Sequence, residues 1–250
     1  MRRQIPGLVA LIVLTSIAED AVAQARTVRH PSTTLGGDRI FAVLLPADYG
    51  ESEQRYPVVY LFHGGGQDHT AFMARTTFGP MARQHQTIVV MPGADRNYSN
   101  MSPEAQARYH DYVAVELVEY VDSHYRTIAS QQGRAIGGIS MGGRIAVMTA
   151  LQHPARFGVV GAFSPAVRMD AEDAVRKAEG SVTRFYISCG TRDPLMSANR
   201  ELVAHLKAHH LTHDFKELEG GEHAWSVWDP ELSAFFDLLA TREPWKRARR

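Results

Sequence analysis

Short apolar runs closed by turn residues restrict the fold more than any other feature of the chain. PVVYLF (57–62) stops at His63-Gly64-Gly65-Gly66, TIVVM (87–91) stops at Pro92-Gly93, and runs at 134–139, 157–163 and 184–188 pass into glycine-rich or polar sequence. Runs without polar alternation suit strands buried on both faces, as in a parallel sheet covered by helices; a half-solvated antiparallel strand would alternate. RIFAVLL (39–45), halted by Pro46, and the more polar DFKEL (214–218) add two strand candidates.

Helical periodicity lies between these runs. Val113, Leu117, Tyr120 and Val121 share one face, and Ile145, Met148, Ala150 and Leu151 mark a second helix ending near Pro154. Leu202, Val203 and Leu206 mark a third, and Leu232, Phe235, Phe236 and Leu239 a last one, with Asp229 as its cap and Pro230 in its first turn. Strands alternating with helices predict a mostly parallel central sheet with helices on both faces. With 250 residues and no internal repeat or linker, one α/β domain over residues 27–241 is expected.

Charge and cysteine content exclude several functions. Lys and Arg number 27 against 27 Asp and Glu, so no net field draws the chain to nucleic acid. The basic stretch within 242–250 is expected to be a solvated tail. Cys189 is the only cysteine, which leaves no internal disulfide, and no histidine falls in a metal-ligand pattern, so no metal or cofactor is expected. The first residues combine Arg2-Arg3, an apolar stretch from Leu8 to Ile17 and small residues at 21–23. That order predicts an export signal over residues 1–23, too short to span a membrane, and hence a secreted or periplasmic protein.

Chemistry enters at GGISMGG (137–143), between the run at 134–139 and the second helix. A strand-to-helix turn this sharp strains its central residue, and side chains two positions to either side would collide with the flanking elements. Gly138 and Gly142 remove that crowding, so Ser140 is displayed as a nucleophile with the Met141 N–H beside it. Alone, the pattern also fits an ordinary glycine-rich turn. HGGG (63–66), at a strand end, supplies backbone N–H groups without intervening side chains; Gly65 is the candidate oxyanion donor, Gly66 next, and His63 a structural residue. Asp193 follows the run at 184–188 and is a candidate orienting acid, or else a helix cap. His223, between DFKEL and the last helix, completes the chain order Ser, Asp, His of an α/β-hydrolase triad.

With LPADY (45–49), YLFHGGG (60–66), GGISMGGRIAV (137–147), HPARFG (153–158), FYISCGTRD (185–193) and GGEHAWSVW (220–228), the chain resembles the esterase D and feruloyl esterase group of α/β-hydrolases from about Arg39 to Leu239. That family also includes S-formylglutathione hydrolases and secreted mycolyltransferases. The resemblance implies a single-domain α/β-hydrolase fold, Ser140 as nucleophile, Asp193 as orienting acid, His223 as general base, and oxyanion N–H groups from Gly65 and Met141.

About 20 residues separate the strands near Phe163 and Arg184, too few for a large cap domain, which implies an open cleft and a small-molecule or polysaccharide-linked ester as substrate. Gly66, Tyr98 and Trp225, with Trp228 and the loop at 95–100, are candidates to line a pocket, although aromatic residues there also fit core packing. Three other readings stay open. An acyltransferase of the mycolyltransferase type uses the same residues, an S-formylglutathione hydrolase-like thioesterase differs in substrate, and a non-catalytic carbohydrate-binding protein could share the fold.

Overall fold

The computed structural model describes residues 25–95, 98–167 and 171–246. The expected export signal at 1–23 and the last four residues of the basic tail lie outside them. Eight strands form one sheet: β1 (Arg26–Pro31), β2 (Asp38–Leu44), β3 (Val58–Phe62), β4 (Ile88–Pro92), β5 (Arg134–Ile139), β6 (Val159–Phe163), β7 (Arg184–Gly190) and β8 (His213–Leu218). Their order is β1-β2-β4-β3-β5-β6-β7-β8. β1 and β2 pair antiparallel at one edge, and every pairing from β4 to β8 is parallel.

The helices are α1 (Ala71–Arg75), α2 (Phe78–Gln84), α3 (Pro103–Asp111), α4 (Val118–His124), α5 (Met141–Gln152), α6 (Ala171–Lys177), α7 (Met196–Ala208) and α8 (Trp225–Ala240). The two-residue period of the strands sorts the core into two layers. Val58, Tyr60 and Phe62 face α3 to α7, whereas Val59 and Leu61 face α1, α2 and α8. No helix among the described residues is long and apolar enough to cross a membrane.

Three features depart from the sequence expectations. β1 has no apolar run, and only His30 of its six residues is buried. It forms because Gly36 and Gly37, at φ 71° and 69°, close a hairpin onto β2. α8 begins at Trp225, so Pro230 sits in its second turn, and Asp229 does not cap the helix. The Asp229 carboxylate instead accepts hydrogen bonds from the Thr77 N–H (3.4 Å) and hydroxyl (3.2 Å), tying α8 to the start of α2. The fold also runs past residue 241. Trp245 is buried and its indole N–H donates to the Gln132 carbonyl at 3.0 Å, so the tail begins after it.

The helix expected around Val113 to Val121 is α3 and α4 joined by a π-helical segment, Tyr112–Leu117. Glu116 in that segment reaches the β1–β2 hairpin, accepting hydrogen bonds from the Ser32 hydroxyl (2.7 Å), the Thr33 N–H (2.6 Å) and the Thr34 N–H (3.2 Å). Burial alone would raise the Glu116 carboxyl, but these donors outweigh it and hold its pKa at about 2.

Candidate active site

Ser140 joins β5 to α5 with φ 52° and ψ −116°, outside the regions side chains ordinarily adopt, at a cost of about 1–3 kcal/mol. The surroundings fix this backbone from three sides. The Ser140 N–H donates to the Phe163 carbonyl (2.9 Å), and the Ser140 carbonyl accepts from the N–H groups of Ala166 (2.9 Å) and Arg144 (3.1 Å). The glycines around it are compulsory. A Cβ on Gly138 would lie 2.5 Å from the Gly142 carbonyl carbon, and one on Gly142 would lie 2.1 Å from the Phe62 oxygen and 2.6 Å from the His63 oxygen. The turn therefore rests directly on the backbone where β3 passes into HGGG.

The loops after β7 and β8 dock in the same way. A Cβ on Gly190 would lie 2.2 Å from the Gly221 oxygen. The Thr191 N–H donates to the Leu218 carbonyl and the Arg192 N–H to the Gly221 carbonyl, both at 2.9 Å, while the Gly220 N–H donates to the Thr191 hydroxyl at 2.8 Å. The Arg192 side chain adds a bond to the Gly220 carbonyl at 2.9 Å and an ion pair with Glu222 at 3.1 Å. Read from sequence, GTRD and GGEH offered one functional residue each; the structure shows that their remaining residues join the two loops to each other.

That docking brings the three residues predicted from chain order together. Asp193 is buried, and its Oδ2 accepts a hydrogen bond from His223 Nδ1 at 2.8 Å. His223 Nε2 lies 3.0 Å from the Ser140 hydroxyl. A carboxylate at Nδ1 places the ring proton there and leaves Nε2 to accept the serine proton. Asp193 is not the cap of α7, whose N-cap is Leu195 without a side-chain bond; its Oδ1 accepts instead from the Leu195 N–H at 2.8 Å, in the turn ahead of the helix. One oxygen orders that turn and the other faces the imidazole.

On the other side of Ser140, Gly65 and Gly66 are exposed and His63 is buried. His63 braces the loop, donating from Nδ1 to the Gly64 carbonyl (2.8 Å) and accepting at Nε2 from the Ala94 N–H (2.9 Å). The Gly64 N–H is satisfied by Gln67 Oε1 at 3.1 Å. Among the described residues nothing accepts a hydrogen bond from the N–H of Gly65 or Met141. Nothing lies within 4 Å of where a Gly65 Cβ would project, and Gly66 has φ 73°.

The expected pocket residues divide. Trp225, half-buried at the start of α8, packs edge-on against Phe72 and Trp228. Tyr98 lies instead in the interior, fully buried, with its hydroxyl 3.1 Å from His110 Nε2, whose Nδ1 lies 2.8 Å from the Thr149 hydroxyl. A buried phenol needs a polar partner, and Tyr98 finds one beneath α5, away from any surface a substrate could reach. Sequence reasoning gave no role to Ser164, which accepts from the Trp228 indole N–H at 3.0 Å. Among the described residues no three His, Cys, Asp or Glu side chains are grouped to hold a metal.

Comparison with known proteins agrees with this architecture. The model of the family described as "Putative esterase" matches residues 32–238. An endo-1,4-beta-xylanase/feruloyl esterase of Xylanibacter ruminicola is 28% identical over 200 residues, covering 74% of this chain and 27% of that protein. An esterase of Mycobacterium tuberculosis is 31% identical over 166 residues, covering 63% of this chain and 34% of that protein. The chain thus spans about a third or less of the length of these two relatives. Among solved structures, the S-formylglutathione hydrolase of Staphylococcus aureus superposes with a TM-score of 0.76 at 21% identity, covering 86% of this chain and 96% of that one. A ferulic acid esterase superposes with a TM-score of 0.74 at 22% identity, covering 87% and 98%. With the family model spanning nearly the whole described fold, this chain belongs to the esterase family, and its described residues have the α/β-hydrolase fold of these solved structures.

Proposed function

We propose that the chain hydrolyses carboxylic esters through an acyl-enzyme on Ser140. The observation that carries this reading is the continuous hydrogen-bonded path from Asp193 to His223 to Ser140, at 2.8 and 3.0 Å. His223 Nε2 takes the Ser140 proton as Oγ attacks the ester carbonyl, and Asp193 steadies the imidazolium that forms. The N–H groups of Gly65 and Met141 donate to the oxyanion, which cancels the charge without moving any group at the moment of reaction. His223 passes its proton to the leaving alkoxide, releasing alcohol. Water, deprotonated by the same nitrogen, then attacks the acyl-serine and frees the acid. No metal or cofactor enters these steps.

The substrate reading is an acetyl or feruloyl ester, on a small alcohol or a polysaccharide. Partial exposure of both Ser140 and His223 supports an open cleft that admits an acyl group on a bulky carrier. Similarity to a feruloyl esterase and to the acetyl esterase of Caldicellulosiruptor saccharolyticus supports the acyl classes. Export follows from the leader-like residues 1–23.

The first test compares kcat/KM for methyl ferulate and p-nitrophenyl acetate in the wild type and Ser140→Ala. We expect turnover in the wild type and a loss of several orders of magnitude in the variant with the fold intact. Full activity in Ser140→Ala would remove the nucleophile assignment. Product analysis with added alcohols separates hydrolysis from acyl transfer.

A further inference from the structure

The carboxyl ends of β5, β6 and β7 are joined stepwise: Ser140 N–H to the Phe163 carbonyl, then Ser164 N–H to the Ser188 carbonyl at 2.7 Å. The residues that follow β5 and β6 are both serines at positive φ, 52° at Ser140 and 46° at Ser164. Nucleophile display accounts for the first. Ser164 is buried, so display cannot account for the second.

Glycine carries no steric penalty at positive φ, and a residue serving only to pass the chain through that turn would be glycine. A serine there points to use of its hydroxyl. That hydroxyl accepts the Trp228 indole N–H at 3.0 Å. The Trp228 ring stands perpendicular to the His223 imidazole, 86° between planes and 4.8 Å between centroids.

We propose that Ser164 and Trp228 act together as positioning residues for His223. The inference rests on the acyl-enzyme reading above. Asp193 and Ser140 hold the imidazole at its two nitrogens, and neither bond opposes tilting about the line between them. Trp228 stands against that tilt, and Ser164 fixes the indole in turn. The two residues after Ser164 serve the other members: the Ala166 N–H holds the Ser140 carbonyl at 2.9 Å, and Asn199 bridges the carbonyls of Pro165 (3.0 Å) and Leu195 (2.8 Å), beside Asp193. One three-residue segment thus touches the supports of nucleophile, base and acid.

Ser164→Gly separates this role from packing, because it removes the hydroxyl while relieving the backbone. We expect a Tm within a few degrees of wild type, since backbone relief offsets the unpaired indole N–H, with kcat on p-nitrophenyl acetate lower by about tenfold, KM within about twofold, and slower labelling of Ser140 by a fluorophosphonate. Trp228→Phe, which keeps an aromatic ring without the N–H, should lose a similar factor. The double variant should be no worse than the weaker single, since both act through one contact. In a His223→Ala background Ser164→Gly should change nothing further. Wild-type kcat in Ser164→Gly, a kcat loss that only tracks a lowered Tm, or a further loss in the His223→Ala background would each overturn the proposal. Equal labelling of wild type and Ser164→Gly refutes the positioning role alone, whereas a wild type that does not label at Ser140 refutes the acyl-enzyme reading and the positioning role with it.

Discussion

Replacing Gly142 with alanine tests how the site is held together. The new Cβ would sit 2.1 Å from the Phe62 oxygen, 2.5 Å from its carbonyl carbon and 2.6 Å from the His63 oxygen, about 0.8–1.3 Å short of ordinary contact. All three atoms are backbone, so no side chain can rotate away. The strain must move the end of β3 relative to α5, and with it Gly64 to Gly66. Overpacking of this kind costs about 1–3 kcal/mol of stability, or roughly 2–12 °C in Tm for a chain of this size at 2–4 °C per kcal/mol. Because Gly65 moves away from Met141, the rate should suffer more than the fold: a displacement near 1 Å at an oxyanion donor is worth about 10²–10³ in kcat. The assay is p-nitrophenyl acetate hydrolysis beside thermal unfolding, with Gly65→Ala as the control, where nothing lies within 4 Å of the added methyl and Tm should move little. A Gly142→Ala protein with kcat within twofold of wild type would refute the claim that backbone contact sets the oxyanion geometry.

Asp193→Asn should keep the fold, since an amide oxygen can still accept from the Leu195 N–H, while kcat falls by about 10⁴ because the His223 tautomer is no longer enforced; circular dichroism and turnover together check this. Tyr98→Phe should lower stability by about 1 kcal/mol through the His110 partner it abandons, with KM for methyl ferulate unchanged; a raised KM would return Tyr98 to the substrate pocket. Glu116, held at about 2 when folded against 4.5 unfolded, contributes stability fully present above pH 4.5 and lost as pH falls from there toward 2. With water competing at a partly exposed site the effect should be about 1–3 kcal/mol, and the Tm difference between wild type and Glu116→Gln should shrink between pH 7 and pH 3.

The sequence made the central strands legible because burial on both faces removes polar alternation, and RAIGGI at β5 matches the strand residue for residue. The same criterion could not find β1, whose place depends on a hairpin partner rather than on its own residues. At α8 the reading failed because Asp229-Pro230 looks like a helix start when its neighbours are unknown. The Asp229 carboxylate answers to Thr77, 152 positions away, which no local pattern reports. The adjacency of Ser140, Asp193 and His223 was legible because residues that follow the parallel strands β5, β7 and β8 emerge at the same carboxyl edge of the sheet. Tyr98 was misread for the opposite reason: an aromatic residue in a loop near that edge has two directions open to it, and only the partner His110 decides between them.

Backbone contact sets where the site's loops lie, and side chains such as Trp228 act only within that frame. At each joint between the site's loops, backbone meets backbone at a glycine: Gly142 on Phe62 and His63, Gly138 on Gly142, Gly190 on Gly221. Main-chain atoms have no rotamers to adjust, so such contacts hold relative positions more tightly than interlocking side chains, which can repack. The consequence is an asymmetry in tolerance. Exposed side chains around the cleft can change with little effect on where Ser140, His223 and Asp193 meet, whereas one methyl group at a joint shifts a whole loop. It also explains why glycine-rich motifs mark the site more clearly than the reactive residues do. A chain with 12 histidines gives no means of choosing one by type, but GGEH identifies the histidine whose loop lies flush against the acid's.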